Sequence, residues 1–356
     1  MHSVRSILKF LCRLEGFAIA MVLLLLYIVL IIAAPGVFTH PLIYISFLET
    51  VPPTLIAALG LTFVITAGEI DLSFPAVVSL SGFALSWAWR TFDPTYGAWI
   101  GMGLALAAGA LVGYINGVMV ARIGVPSIMA TLAANFFWYG ISILLAGGLQ
   151  VTLKGSQENF VHQLLVGRLF GAVPIQAFWA LGLAVLLWFI LNRHKFGEGI
   201  MFIGDNANVA RVMGVNVEGT RIRLFALHGM IAAFAGIIVT LDIGVFYPDQ
   251  GNFLLPAMAS VFIGGTSIAG GAGSVFGTLF GAYVIGSLEA GVVATTISGY
   301  WVQVVEGVVM AAVIVLNAAT SKGNMAALVS QLRLWRIPVS ADPTQKLLHK
   351  DDTTPN

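Results

Sequence analysis

Two carboxylates stand two residues apart in AGEIDLSFP, Ala67 to Pro75, where a long apolar run is interrupted. Gly68 before Glu69 and Pro75 after Asp71 mark the end of one helix and the start of another. A carboxylate at mid-bilayer costs about 2.5–3.5 kcal/mol, so such groups normally face a cavity or a partner. The favoured reading makes Asp71 a structural cap: Asp71 or Ser73 is the N-cap of the following helix, with Pro75 in its first turn. The segment can also be a loop at the membrane surface, where its carboxylates cost nothing. The functional alternative is a broken helix lining a pathway, since irregular backbone at depth survives only beside protein or water.

A second polar set lies in NGVMVARIGVPSIMATL, which holds Asn116, Arg122, Ser127 and Thr131. Pro126 starts a helix, and Ser127 and Thr131, four residues apart, give it a hydroxyl-bearing face. Helix-to-helix hydrogen bonding is the favoured reading, and pathway lining the alternative. Asp242, Glu289 and Glu306 lie in or near apolar runs. Asp242 is expected at an external mouth, while Glu289 and Glu306 either line a cavity or pair with Asn or Ser across helices. Carboxylates of this kind also leave proton coupling open.

Other chemistries lack their residues. The six histidines show no HxxxH spacing, so no metal site is expected. No GxxxxGK[ST], GxSxG or HExxH run occurs, so no directly bound ATP, cofactor or hydrolytic centre is expected. The single cysteine, Cys12, excludes an intrachain disulfide.

The third informative stretch, GEGIMFIGDNANVARVMGVNV (Gly197 to Val217), is polar and punctuated by glycine. Asn206 suits an N-cap, Ala207 to Met213 two helical turns, and Gly214 the left-handed position that ends them. Val209, Ala210 and Met213 then make a small apolar face, with Arg211 turned outward. The stretch reads either as an ordinary loop or as a short helix offered to a partner, with Gly204 and Asp205 leading into it.

These residues need a membrane scaffold. Of 356 residues, 58% are hydrophobic and 9% charged, with a mean hydropathy of +0.94. Soluble domains carry about 25% charged residues. The expected fold is an all-α polytopic membrane protein of about ten transmembrane helices with broken helices, ten being the number of apolar runs near 17–34, 47–67, 74–90, 97–121, 126–146, 176–192, 224–243, 253–269, 274–293 and 299–318. Only three of the 17 Lys and Arg residues, Arg90, Lys154 and Arg168, then fall on the outside. That asymmetry places both termini in the cytoplasm. The net charge of +1 argues neither for nor against a nucleic-acid partner, and none is expected.

The expected organisation is a transmembrane domain over 1–320, with a cytoplasmic loop at 193–223, and a polar tail over 321–356. Gly109, Gly113 and Gly117 recur every four residues, as do Gly273, Gly277 and Gly281. Each row is expected to share one helical face where another backbone comes close.

AGEIDLSFP, NGVMVARIGVPSIMATL, the GDN stretch and FIGGTSIAGGAGSVFGTLFGA, in this order, resemble the ribose-type permease subunits of bacterial ATP-binding-cassette importers. The resemblance covers about residues 45–318. The IDLS and GDN segments fit this sugar branch better than the related branched-chain amino-acid permeases. It implies a multi-pass subunit of the inner membrane that passes a monosaccharide or polyol. It also implies a second permease subunit, identical or sister, a cytoplasmic ATPase that uses the ATP, and a periplasmic solute-binding protein. Gly204 to Gly214 match the family's coupling helix. Glu69 departs from the usual GGIDLSVG, as do Phe74 and Pro75, and Glu198 stands where a basic residue is common. Two rival readings are a proton-driven carrier using Glu69, Glu289 or Glu306, and a scaffold that docks through 193–223 and moves nothing.

Overall fold

A computed structural model describes residues 15–248, 253–294 and 300–321. Cys12 and most of the tail lie outside them. The chain divides into two compact units, Met1–Ile314 and Val315–Asn356. Of the second, only the end of one helix is described.

Each expected apolar run contains a helix. In chain order the main helices are α1 (Phe17–Ala33), α2 (Pro41–Thr66), α3 (Phe74–Thr91), α4 (Pro94–Val118), α5 (Ser127–Ala146), α6 (Phe160–Val166), α7 (Ile175–Arg193), α8 (Lys195–Val212), α9 (Val217–Ile243), α10 (Leu254–Ile263), α11 (Val275–Ala294) and α12 (Trp301–Ser321). Among the described residues only six are long and apolar enough to cross a bilayer alone: α2, α4 with its π-helical extension Met119–Ile123, α5, α7, α9 and α11. The expected ten is thereby reduced for single-helix spans. Helix α10 stops after 10 residues at Gly264, and α3 dilutes its apolar residues with Ser79, Ser81, Ser86 and Arg90.

Two helices are central. In an 18-residue stretch of α2, 78% of residues are buried, and 72% in α9, against 22% in α5 and 28% in α7. A helix apolar all round belongs in a core or in lipid; α2 and α9 take the first place, and α5 and α7 turn Phe136, Leu144, Val185 and Phe189 outward. Helix α2 contains Pro52 and Pro53. Pro53 has no N–H to give the Glu49 carbonyl four residues back. Gln176 Nε2 on α7 supplies that hydrogen bond instead, at 3.3 Å.

The first glycine row works as one face. Gly109, Gly113 and Gly117 of α4 meet the α9 backbone at Gly229, Phe225 and Ile222, leaving no room for a Cβ. Gly229 reciprocates against Gly109. The second row divides. Gly277 and Gly281 face Gly264 and Ser260, but Gly273 precedes α11 and lies against the Thr66 side chain. The expectation of a shared helical face fails for Gly273 because the chain is still in the loop that ends α10.

The two ends of the bundle differ. At one, β1 (Val151–Thr152) pairs antiparallel with β4 (Val245–Phe246), and β2 (Arg168–Leu169) with β3 (Val173–Pro174). At the other, Glu15 accepts from Trp188 Nε1 and from the Phe276 amide.

Gly113→Leu should overpack the α4–α9 contact and cost about 1–3 kcal/mol or more. Thermal unfolding followed by size-exclusion chromatography should show a lowered midpoint, with Gly103→Leu, on an open face of α4, as the unaffected control.

Candidate functional site

Helix α2 ends at Thr66, and residues 67–73 run irregularly to α3. Their amides need acceptors that no helix supplies. Alternate amides of an extended stretch point the same way, and two of them meet the hydroxyls one turn apart on α5. Ile70 N donates to Ser127 Oγ at 3.2 Å, and Leu72 N to Thr131 Oγ1 at 3.0 Å. Thr131 passes its own proton to the Ser127 carbonyl at 2.7 Å. The hydroxyl face of α5 therefore serves a broken segment rather than another helix, which corrects the expected helix-to-helix bonding.

The carboxylates behave differently from one another. Glu69, 8% exposed, pairs through Oε1 with Arg221 Nη2 on the second turn of α9 at 2.9 Å. Asp71 is buried, and its Oδ1 accepts from Ser73 N at 2.7 Å and Ser73 Oγ at 2.6 Å. Asn116 Nδ2 donates to the same Ser73 Oγ at 2.7 Å. Asp71 Oδ2 lies 3.8 Å from His228 Nε2 on α9. Neither residue caps α3 in the expected way. Ser73 holds the N-cap position in a helical conformation, with its hydroxyl committed to Asp71 and Asn116 and making no cap bond. Asn116 Oδ1 and both His228 ring nitrogens have no hydrogen-bond partner among the described residues. Buried polar atoms without partners are uncommon in folded proteins, so this cluster holds more polarity than capping needs.

A second break follows α10. Thr66 at the end of α2 meets it directly, its carbonyl accepting from Gly271 N at 2.9 Å, and within the break Ser274 N donates to Thr266 Oγ1 at 3.2 Å.

The GDN stretch bridges the breaks. Helix α8 kinks at Asn206 (φ −159°, ψ 105°), leaving a short helix from Ala207 to Val212. Asn206 Oδ1 accepts from the amides of Asn208 at 3.0 Å and Val209 at 3.1 Å, the N-cap geometry. At the far end Gly214 N donates to the Arg211 carbonyl and Val215 N to the Ala210 carbonyl, a Schellman pair, with Gly214 at φ +89°. Ala210 is fully buried against Ile203 and Val217. The exposed apolar residues are Val209, Val212 and Met213. Ala210 is therefore the foot of the short helix and not part of its presented face, and Val212 takes that place. Two turns cannot both anchor to α9 and present every apolar side chain. Arg211 is exposed and among the described residues reaches only Asn208 Oδ1, at 3.4 Å. Just before the kink, Gly204 lies against the Thr66 carbonyl and the Gly271 amide, with no space for a Cβ, and Asp205 packs beside Gly271. The stretch thus touches both breaks through main chain.

At the opposite end Asp242 lines a pocket of about 620 Å³ with Glu49, His162 and Arg168. Arg168 pairs with Glu49 at 2.7 Å, and Gln176 Nε2 donates to Asp242 Oδ1 at 2.9 Å. Burial lowers the His162 pKa, so its neutral form is favoured. Glu289 and Glu306 belong to a different cavity. Arg221, His228 and Gln176 were not legible as site residues, because each is polar only in relation to a neighbour distant in sequence.

Residues 43–314 match the family model described as branched-chain amino acid transport system / permease component. The chain belongs to that family. It is 32% identical over 292 residues to the ribose import permease protein RbsC of Escherichia coli K12, covering 81% of this chain and 89% of the relative. It is 30% identical over 333 residues to the xylose transport system permease protein XylH of the same strain, covering 76% and 83%. It is 31% identical over 299 residues to the autoinducer 2 import system permease protein LsrC of E. coli SMS-3-5, covering 82% and 85%. No solved structure gives a significant match. The chain is thus a multi-pass inner-membrane permease subunit of the ribose-type branch.

Thr131→Val removes the acceptor for the Leu72 amide and should cost about 1–3 kcal/mol. Hydrogen exchange should quicken at residues 70–73, and Thr131→Ser should restore protection.

Proposed function

We propose that the chain is the transmembrane subunit of an ATP-driven importer for a monosaccharide or polyol. The observation that carries this reading is the short capped helix Ala207–Val212. It presents Val209, Val212 and Met213 outward, while Gly204, three residues before it, abuts both helix breaks. The relatives' names, ribose and xylose permeases among them, support the substrate class.

Both termini and the 193–223 segment face the cytoplasm. There the short helix seats its apolar tip in a groove of a separate ATPase, and Arg211 pairs with an acidic group on that partner. A rigid shift of α8 is passed through Gly204 to Thr66 and Gly271, and so to the ends of α2 and α10. Alternating access then follows as interface motion. A second permease subunit, the same chain or a sister, completes the translocation unit. A periplasmic binding protein docks on the β1–β4 end and supplies most of the solute affinity. ATP is bound and used by the partner. Asp71, Ser73, Asn116, Ser127 and Thr131 hold the break in shape; Glu69, paired with Arg221, is a latch between the break and α9 rather than a proton carrier.

Val212→Asp with Met213→Asp should abolish co-purification of the cognate ATPase from detergent extracts and leave membrane insertion intact. Gly214→Pro, which cannot adopt φ +89°, should lower import in ATPase-containing vesicles by about tenfold or more, equivalent to about 1.4 kcal/mol. Wild-type uptake in either variant, or uphill uptake by the lone chain on a proton gradient, overturns the reading.

A further inference from the structure

A cavity of about 1050 Å³ opens between α2, α10, α11 and α12, away from the break cluster. Small-molecule pockets run to about 300–1,000 Å³, so it can hold a sugar with several waters. On α2 its wall is a stripe of hydroxyls, Ser46, Thr50 and Thr54, which share a helical face by their spacing of four. Thr50 Oγ1 donates back to the Ser46 carbonyl at 3.1 Å, so its lone pairs remain for an incoming donor. Glu289 of α11, with Gln303 and Glu306 of α12, completes the polar lining. Phe47 and Phe253 supply apolar wall.

Two features narrow the occupant. Glu306 is 5% exposed, and neither glutamate has an ion-pair or hydrogen-bond partner among the described residues. Among the described residues no Lys, Arg or His lines the cavity. The carboxyl oxygens of Glu289 and Glu306 and the hydroxyl oxygens of Ser46, Thr50 and Thr54 accept hydrogen bonds, and the Gln303 amide both gives and accepts. The complement of this lining is a molecule with several hydroxyl donors and an apolar C–H face. An anion that entered would lose its hydration with no basic side chain among the described lining residues to receive it.

We propose that this cavity is an in-membrane holding site for a neutral polyhydroxylated solute, with Glu289 and Glu306 accepting its hydroxyls and acidic sugars excluded because the described lining offers them no cation. The inference rests on the reading of the chain as a sugar or polyol permease, and extends it to the place and the charge class of the solute.

Cys12 is the single native thiol, so Cys12→Ser gives a thiol-free background for the test. Thr50→Cys and, as a second position, Ser46→Cys are placed in the full chain, co-expressed with its ATPase and held in nanodiscs. Labelling by a small methanethiosulfonate is followed on the permease band with ribose, xylose or ribitol present. At least one of these should slow labelling by about tenfold at saturation, since labelling follows the unoccupied fraction; ribonate, the acid of ribose, should not. Glu289→Gln with Glu306→Gln should abolish the protection by neutral sugar, and ribonate should still give none. Absence of labelling at both positions, absence of protection by all three neutral probes, or equal protection by ribonate overturns the proposal. A complex that still assembles with its ATPase in those cases leaves the permease reading standing and removes the cavity's role alone.

Discussion

A peptide group carried into the membrane without a helical partner must be given one by a neighbouring side chain or backbone. That requirement shapes the centre of this protein. The segment 67–73 can interrupt two helices because Ser127 and Thr131, one turn apart on α5, receive its alternate amides. The second break is handled through main chain, with the end of α2 accepting from Gly271. Each solution places a third element against a break, so the breaks are joints between several helices.

Small residues set how tightly those joints close. The α4 glycines let its backbone lie on α9, and α9 carries both His228 behind Asp71 and Arg221 beside Glu69. Moving α9 therefore moves the partners of both carboxylates together. Gly204 extends the same economy to α8, where any side chain would push apart the contact that connects it to the two breaks. Direct backbone contact transmits displacement with little loss, since packed interiors are scarcely compressible.

Local signals were legible and long-range ones were not. Asn206 and Gly214 announce the short helix because a cap and a left-handed stop are properties of single residues, and both act as their types demand. The direction of Ala210 was hidden, because which face of two turns packs inward depends on Ile203 and Val217. Asp71 and Ser73 looked like caps by position; an alternative set of partners, Asn116 from α4 and His228 from α9, could only be supplied by the tertiary fold. Likewise the apolar runs were visible in composition, but α10 ends early at Gly264 where hydropathy alone continued it to 269. Gln176 carried no signal: its value lies in the carbonyl that Pro53 orphans.

That last arrangement bears on how the central post of the bundle bends. Two adjacent prolines delete successive rungs of α2, and a side chain from α7 stitches one of the loosened carbonyls. Bending stiffness is thereby lowest about eleven residues into the helix and higher below it. The prolines thus divide α2 into an N-terminal third and a longer C-terminal part that packs against α9, with the weakest rungs between them. The protein thus has a soft neck near one mouth and a firm trunk beneath it.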